Sequence, residues 1–256
     1  MPGPPCAEPH YPGRVPSGAR QIFAFSGVLR PGPGERTSLA LIDYAISLAG
    51  TSGRARVCYI PTAVGDAQDA IDAKTAIFAP RPDVAFTILR LFTQPNVPDV
   101  RQHLLSQDML LVEGGSVVNL MAVWQAHSLP AVMRQCWDSG VVLAGTSAGS
   151  LCWHTGGPTD SFGECLAPFT GGLGLVPYSN GVHDDLGDQP RRHTYRQLVA
   201  AGSLPAGYAT EDGVGLHYLG ATLHEAVTIR PGARAWSVTP AAGGTYAEQP
   251  ITPRVI

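Results

Sequence analysis

The chain has 256 residues, 44% of them hydrophobic and 14% charged. That is enough apolar material for a sizeable core and excludes disorder along the whole length. Net charge is −3 with a single lysine, Lys74, and no basic block, so no nucleic-acid partner is expected. No apolar run approaches the ~18 residues of a membrane span.

Residues 1–20 hold six of the 23 prolines and read as a flexible tail; residues 21–256 read as one domain. Gln21–Ser26 is a buried strand. After PGPGE, Thr37 or Ser38 can cap a helix with Leu39, Ile42, Ile46 and Ala49 on one face, closed by Gly50. Strands follow at Arg56–Ile60, Ala85–Leu91, Met109–Val112 and Val141–Ala144. Between them lie helical segments at Asp66–Phe78, Pro98–Leu105, Val118–His127 and Ala131–Asp138. Strands apolar on both faces, alternating with amphipathic helices, predict an α/β fold with a mostly parallel sheet flanked by helices. GLGLVPYS reads as a further strand neighbouring the one that ends at Ala144, and RRHTYRQLV as a helix. The short strands Tyr208–Thr210, Gly213–Leu219, Leu223–Ile229 and Ala233–Val238 read as an antiparallel C-terminal extension of the same sheet.

Five cysteines at irregular spacing give neither a disulfide framework nor a zinc pattern, and the first twenty residues lack the basic start and apolar stretch of a secretory signal. A reduced, cytoplasmic protein is expected, with no metal and no organic cofactor. Cys152, close to the most informative segment, is a candidate for oxidation.

That segment is VVLAGTSAGS, an apolar strand running into Gly145-Thr146-Ser147-Ala148-Gly149. It fits the G-x-S-x-G elbow that holds a nucleophilic serine on a sharp strand-to-helix turn. Ser147 needs a base, and His183, in the polar loop HDDLGD after an apolar strand, is the best placed of eight histidines. Asp160 and Glu164, between Ser147 and His183, are the candidates to orient it; Asp184 and Asp185 adjoin it. The N–H of Ala148 and one from Glu113-Gly114-Gly115-Ser116 would form an oxyanion hole. Arg191 and Arg192, opening a helix soon after His183, suit a substrate carboxylate.

Taken together, EGGSVVNLMAVW, LAGTSAGSLCWHTGGPTDSFG, GLGLVPYSNGVHDD, RRHTYRQLV and ATEDGVGLHYLG resemble the S51 serine peptidases, the group of peptidase E (aspartyl dipeptidase) and cyanophycinase. The resemblance implies a flavodoxin-like fold of the class I glutamine amidotransferase-like superfamily. It also implies a serine peptidase acting on small peptides, dipeptides with an N-terminal aspartate foremost, without cofactor, membrane or nucleic acid. Carried over, it makes Ser147 the nucleophile, His183 the base, Asp160 the acid (or Glu164 in its place), Gly115 and Ala148 the oxyanion donors and Arg191 the substrate-recognising cation. The glycine turn lacks the family's usual asparagine, since Ser116 follows Gly115, and Val182 replaces the usual proline before His183. An esterase-type hydrolase and a non-catalytic binding protein of the same fold are the alternatives; a homodimer stays open.

Overall fold

A computed structural model describes residues 18–27 and 38–256. The PGPGE turn and most of the proline-rich tail lie outside them. The chain runs from strand β1 (Gln21–Phe25) through α1 (Leu39–Leu48), β2 (Ala55–Ile60), α2 (Gln68–Phe78), β3 (Val84–Ile88), α3 (Val100–Leu105), β4 (Met109–Val112), α4 (Val117–Ala126) and α5 (Leu129–Asp138) to β5 (Val142–Thr146). A short helix α6 (Ala148–Leu151) precedes the ribbon β6 (Gly157–Thr159) and β7 (Ala167–Phe169). Then come β8 (Ser179–Val182), α7 (Arg191–Ala200), β9 (Gly207–Thr210), β10 (Val214–Leu219), β11 (Thr222–Thr228), β12 (Ala235–Ala241), β13 (Thr245–Ile251) and β14 (Arg254–Val255).

The main sheet has eight strands in the order β14-β11-β10-β1-β5-β4-β2-β3. From β1 to β3 every neighbouring pair is parallel, and β10 adds antiparallel to β1. Because side chains alternate along a strand, each central strand feeds two cores. Ile22, Leu143, Leu110 and Cys58 are in register across the sheet and pack on one face with Leu120 and Trp124 of α4 and Met133 of α5. Phe23, Phe25, Val57, Leu111 and Ala144 point the other way, against Leu41, Ile42 and Ala45 of α1 and Ile71 of α2. This double burial explains why these strands are apolar throughout. Among the described residues, no helix is long and apolar enough to cross a membrane.

Two expectations about the second half need correction. The late strands do not all extend the main sheet: β9 and β12 join β8 and β13 in a separate four-stranded sheet, order β13-β12-β9-β8. GLGLVPYS is bent rather than extended until Ser179. Gly174 sits at φ +60° and Pro177 lacks an N–H, and Leu175 and Val176 are buried from a turning chain. The strand ahead of His183 is therefore Ser179–Val182, paired with β9 in parallel and not with β5.

Besides His183, two histidines are buried in this framework. His154 lies between the Ser150 carbonyl (2.9 Å) and the Tyr218 hydroxyl (3.1 Å), and burial lowers its pKa from 6.5 to about 4. His217 contacts the Gln21 carboxamide at 3.0 Å and is likewise lowered to about 4, first by burial. A folded-state pKa below the unfolded value means that the unfolded chain binds the extra proton first. The stabilisation from keeping these rings neutral is thus full above pH ~6.5 and is lost as the pH falls towards 4. Urea titrations at pH 7 and pH 5 should differ by on the order of 1–2 kcal/mol per histidine, and His154→Gln should flatten its share of that difference.

Candidate active site

Ser147 sits where β5 ends and α6 begins, with φ +52° and ψ −113°, a conformation that costs a non-glycine residue of order 1–3 kcal/mol. Its surroundings force the turn. A Cβ on Gly145 would stand 2.0 Å from the Gly149 carbonyl oxygen, and one on Gly149 would stand 2.4 Å from that of Val112. The two glycines of the pentapeptide are required because the chain doubles back onto itself and onto β4. The Ser147 N–H is fixed by the Phe25 carbonyl at 3.0 Å.

His183 reaches this serine from the second sheet. Its Nε2 is 3.0 Å from Ser147 Oγ, and its Nδ1 is 2.5 Å from a carboxylate oxygen of Asp212. A carboxylate can only accept, so Nδ1 carries the proton and Nε2 is left to accept from the serine hydroxyl. Both residues follow neighbouring strands: β8 and β9 are parallel with Val182 opposite Thr210, so His183 and Asp212 emerge from the same end. The Asp212 backbone is held on both sides, its N–H by Asp185 (2.8 Å) and its carbonyl by Arg230 (2.9 Å), which also pairs with Asp185 (2.8 Å). His183 itself has φ +59° and donates its N–H to Ser26 Oγ at 3.1 Å.

Asp160 does not orient the histidine. It forms an ion pair with Arg191 at 2.9 Å, and Gln189 accepts from Arg191 Nε at 2.6 Å. The loop carrying Asp160 is turned towards α7 and α4 instead, where Ser161 Oγ accepts the Val117 N–H at 3.1 Å. Glu164 is exposed. Asp184 is buried between Arg196 and Arg192, the latter at 2.8 Å. Arg191 is nearly buried and its pKa is lowered, mainly by burial. Arg192 lies over the Trp236 ring at 4.4 Å from its centroid.

Across the end of β4, Gly114 lies against Ser147, where a Cβ on the glycine would stand 3.2 Å from the serine Cβ, and Gly115 follows it. Gly115 has φ +129°, and a Cβ there would come within 2.5 Å of the Ala63 carbonyl oxygen. Ser116 caps α4 by accepting the Asn119 N–H at 3.2 Å, which is the local work this serine does after the glycines. Among the described residues, no backbone acceptor takes the N–H of Gly115 or Ala148, so both can serve a ligand oxygen. Cys152 is fully buried with its thiol on the Gly149 carbonyl, and burial raises its pKa well above the usual range. This is the opposite of an oxidant-sensitive thiol.

The profile of peptidase family S51 matches residues 32–226. The chain belongs to peptidase family S51. An uncharacterized peptidase of Bacillus subtilis (strain 168), YgaJ, is 35% identical over 204 residues, 80% of this chain and 86% of that one. Among solved structures, a peptidase from an acI-B1 actinobacterium is similar with a TM-score of 0.67, covering 92% of this chain and 95% of its own at 16% identity. A putative peptidase E protein from Listeria monocytogenes EGD-e gives a TM-score of 0.58 over 82% of this chain and 98% of its own, also at 16% identity. At that identity the likeness speaks for the fold, a mixed α/β arrangement around a mostly parallel sheet. Membership of family S51 supports a serine peptidase.

Sequence reasoning missed Asp212 although it lies in ATEDGVGLHYLG, one of the segments that carries the family resemblance. The acids that local sequence offers lie between the serine and the histidine or directly beside the histidine, and the pairing of β8 with β9 is a long-range feature that no local pattern announces. The glycine packing gives a direct test. Gly145→Ala or Gly149→Ala must displace backbone rather than a side chain, so each should cost ~1–3 kcal/mol or more in denaturant titrations and lose fluorophosphonate labelling of Ser147 at temperatures where the protein is still folded.

Proposed function

We propose that the protein hydrolyses short peptides, those with an N-terminal aspartate foremost, through Ser147, His183 and Asp212 and an acyl-enzyme. The observation that carries this reading is the hydrogen-bonded series Ser147 Oγ–His183 Nε2 (3.0 Å) and His183 Nδ1–Asp212 (2.5 Å). In the first half of the reaction, Ser147 Oγ attacks the scissile carbonyl carbon while its proton passes to His183 Nε2. Asp212 keeps the ring in the tautomer that can accept it and stabilises the imidazolium. The N–H groups of Ala148 and Gly115 receive the oxyanion. Collapse of the tetrahedral adduct breaks the C–N bond, and the proton on Nε2 leaves with the amine. Water then attacks the ester, giving its proton to His183, and the acid product departs as Ser147 regains its own.

An N-terminal aspartate needs a cation for its β-carboxylate. Arg191 is one candidate, but two of its nitrogens are already engaged, Nη2 by Asp160 at 2.9 Å and Nε by Gln189 at 2.6 Å. The ion pair supports a role for both residues in fastening α7 to the 159–161 loop.

Hydrolysis of Asp-X, Glu-X and Leu-X dipeptides and an Asp chromogenic amide is the test. Turnover should be confined to Asp substrates and vanish in Ser147→Ala. Asp212→Asn should lower kcat by about 10³–10⁴-fold with little change in KM, whereas Asp160→Asn should cost far less. A large loss in Asp160→Asn with Asp212→Asn unaffected would return the orienting role to Asp160.

A further inference from the structure

Beside Ser147 the main sheet opens into a cavity of about 360 Å³, at the small end of the ~300–1,000 Å³ typical of ligand sites. It suits a residue or two rather than a continuous chain. Phe25, Ile42, Val64 and Leu111 supply apolar walls, and Gly114, Gly115 and Ser147 form the side where the acyl group would be attached. Among the described residues lining it, Lys74 is the one cation and Glu113 the one carboxylate. Arg191 does not line it.

These two charges are held in place and only part-spent. Lys74 Nζ is 3.0 Å from Glu113 Oε2 and 5.3 Å from the centre of the Tyr59 ring; an ammonium has three donors, so an acceptor in the cavity can still be bound. Glu113 also accepts the Tyr59 hydroxyl (2.7 Å) and the Gly114 N–H (3.0 Å), which anchors it to the start of the glycine turn. Burial works to raise the Glu113 pKa, but Lys74 and these hydrogen bonds hold it below its usual value, so it is ionised at neutral pH. An apolar cavity holding one fixed positive and one fixed negative charge matches a ligand with the same two charges reversed. A peptide beginning with aspartate carries them on one residue, an α-ammonium and a β-carboxylate.

Building on the reading of the chain as a hydrolase of Asp-X peptides, we propose that this cavity seats the substrate's N-terminal residue. Glu113 receives the free ammonium and Lys74 the β-carboxylate. The pair thereby selects both for aspartate and for an unblocked amino end, and it restricts cleavage to the first peptide bond. The cation that reads the substrate is then the chain's one lysine, and Arg191 is left to its pair with Asp160.

Binding can be separated from turnover in Ser147→Ala, titrated calorimetrically with Asp-Leu, Asn-Leu and N-acetyl-Asp-Leu. Asp-Leu should bind, and the other two roughly ten- to hundred-fold more weakly, the loss of one charged hydrogen-bonded contact. Adding Lys74→Met should abolish the preference for Asp-Leu over Asn-Leu, and adding Glu113→Gln the preference over the acetylated peptide. Arg191→Ala in the same background should keep both preferences. The proposal is overturned if Asp-Leu does not bind, if the three peptides bind alike, or if the preferences survive Lys74→Met and Glu113→Gln but vanish in Arg191→Ala. Circular dichroism of each variant guards against a folding defect. Fluorophosphonate labelling of the wild-type protein reports on the hydrolase reading alone: a labelled Ser147 without aspartate preference sinks the pocket and spares the peptidase, and the reverse pattern does the opposite.

Discussion

The hydroxyl of Ser26 joins the two sheets, and the geometry around Ser147 depends on that junction. Ser26 follows β1, next to the strand that delivers Ser147. Its Oγ donates to the Thr210 carbonyl (2.9 Å), lies 2.7 Å from the Thr210 hydroxyl and accepts the His183 N–H (3.1 Å). It is buried, at 1% exposure, where an unmatched polar group would be expensive. One side chain thus ties the end of the central sheet to the ends of both strands that carry His183 and Asp212. Asn180 of β8 adds a second tie, its side-chain amide donating to Ser150 Oγ of α6 at 2.6 Å.

A second set of polar contacts supports the histidine from behind. Asp184, the next residue, is buried against Arg196 and Arg192, and both arginines continue to Glu248 on β13 at 2.7 and 2.9 Å. Helix α7 is thereby clamped to the second sheet through charge as well as through Tyr195 and Val199. Removing one partner of such a buried pair typically costs ~3–5 kcal/mol, since it strands the other charge. Asp184 and Asp185, both adjoining the histidine in sequence, divide the work: one anchors α7, the other holds the backbone of Asp212.

Local chemistry made the first half of the fold legible. The apolar runs of β1, β2, β4 and β5 announce themselves because both faces are buried, and Gly145-Thr146-Ser147-Ala148-Gly149 is readable because only glycine tolerates backbone at 2.0–2.4 Å. His183 was legible for a similar reason, a polar loop after a buried stretch. What escaped was set by distant pairing. Asp212 looks like any loop acid until β9 is laid beside β8. GLGLVPYS has strand-like composition, yet its apolar residues are buried from a bent chain. Arg191 and Asp160 each read as site residues, and their mutual attraction, invisible in sequence, satisfies both. Lys74 and Glu113 meet in space from α2 and the end of β4, which no spacing rule could foretell.

The division of the site between two sheets has a consequence for how activity fails. Ser147 and the amides of Gly115 and Ala148 stand at the end of the central sheet, whereas His183 follows β8 of the smaller one and Asp212 lies in the link from β9 of the smaller sheet to β10 of the larger. A slight rotation between the two would lengthen the Nε2–Oγ contact beyond hydrogen-bonding range while leaving every strand intact and both cores dry. The spacing between the sheets is therefore what the Nε2–Oγ hydrogen bond reads.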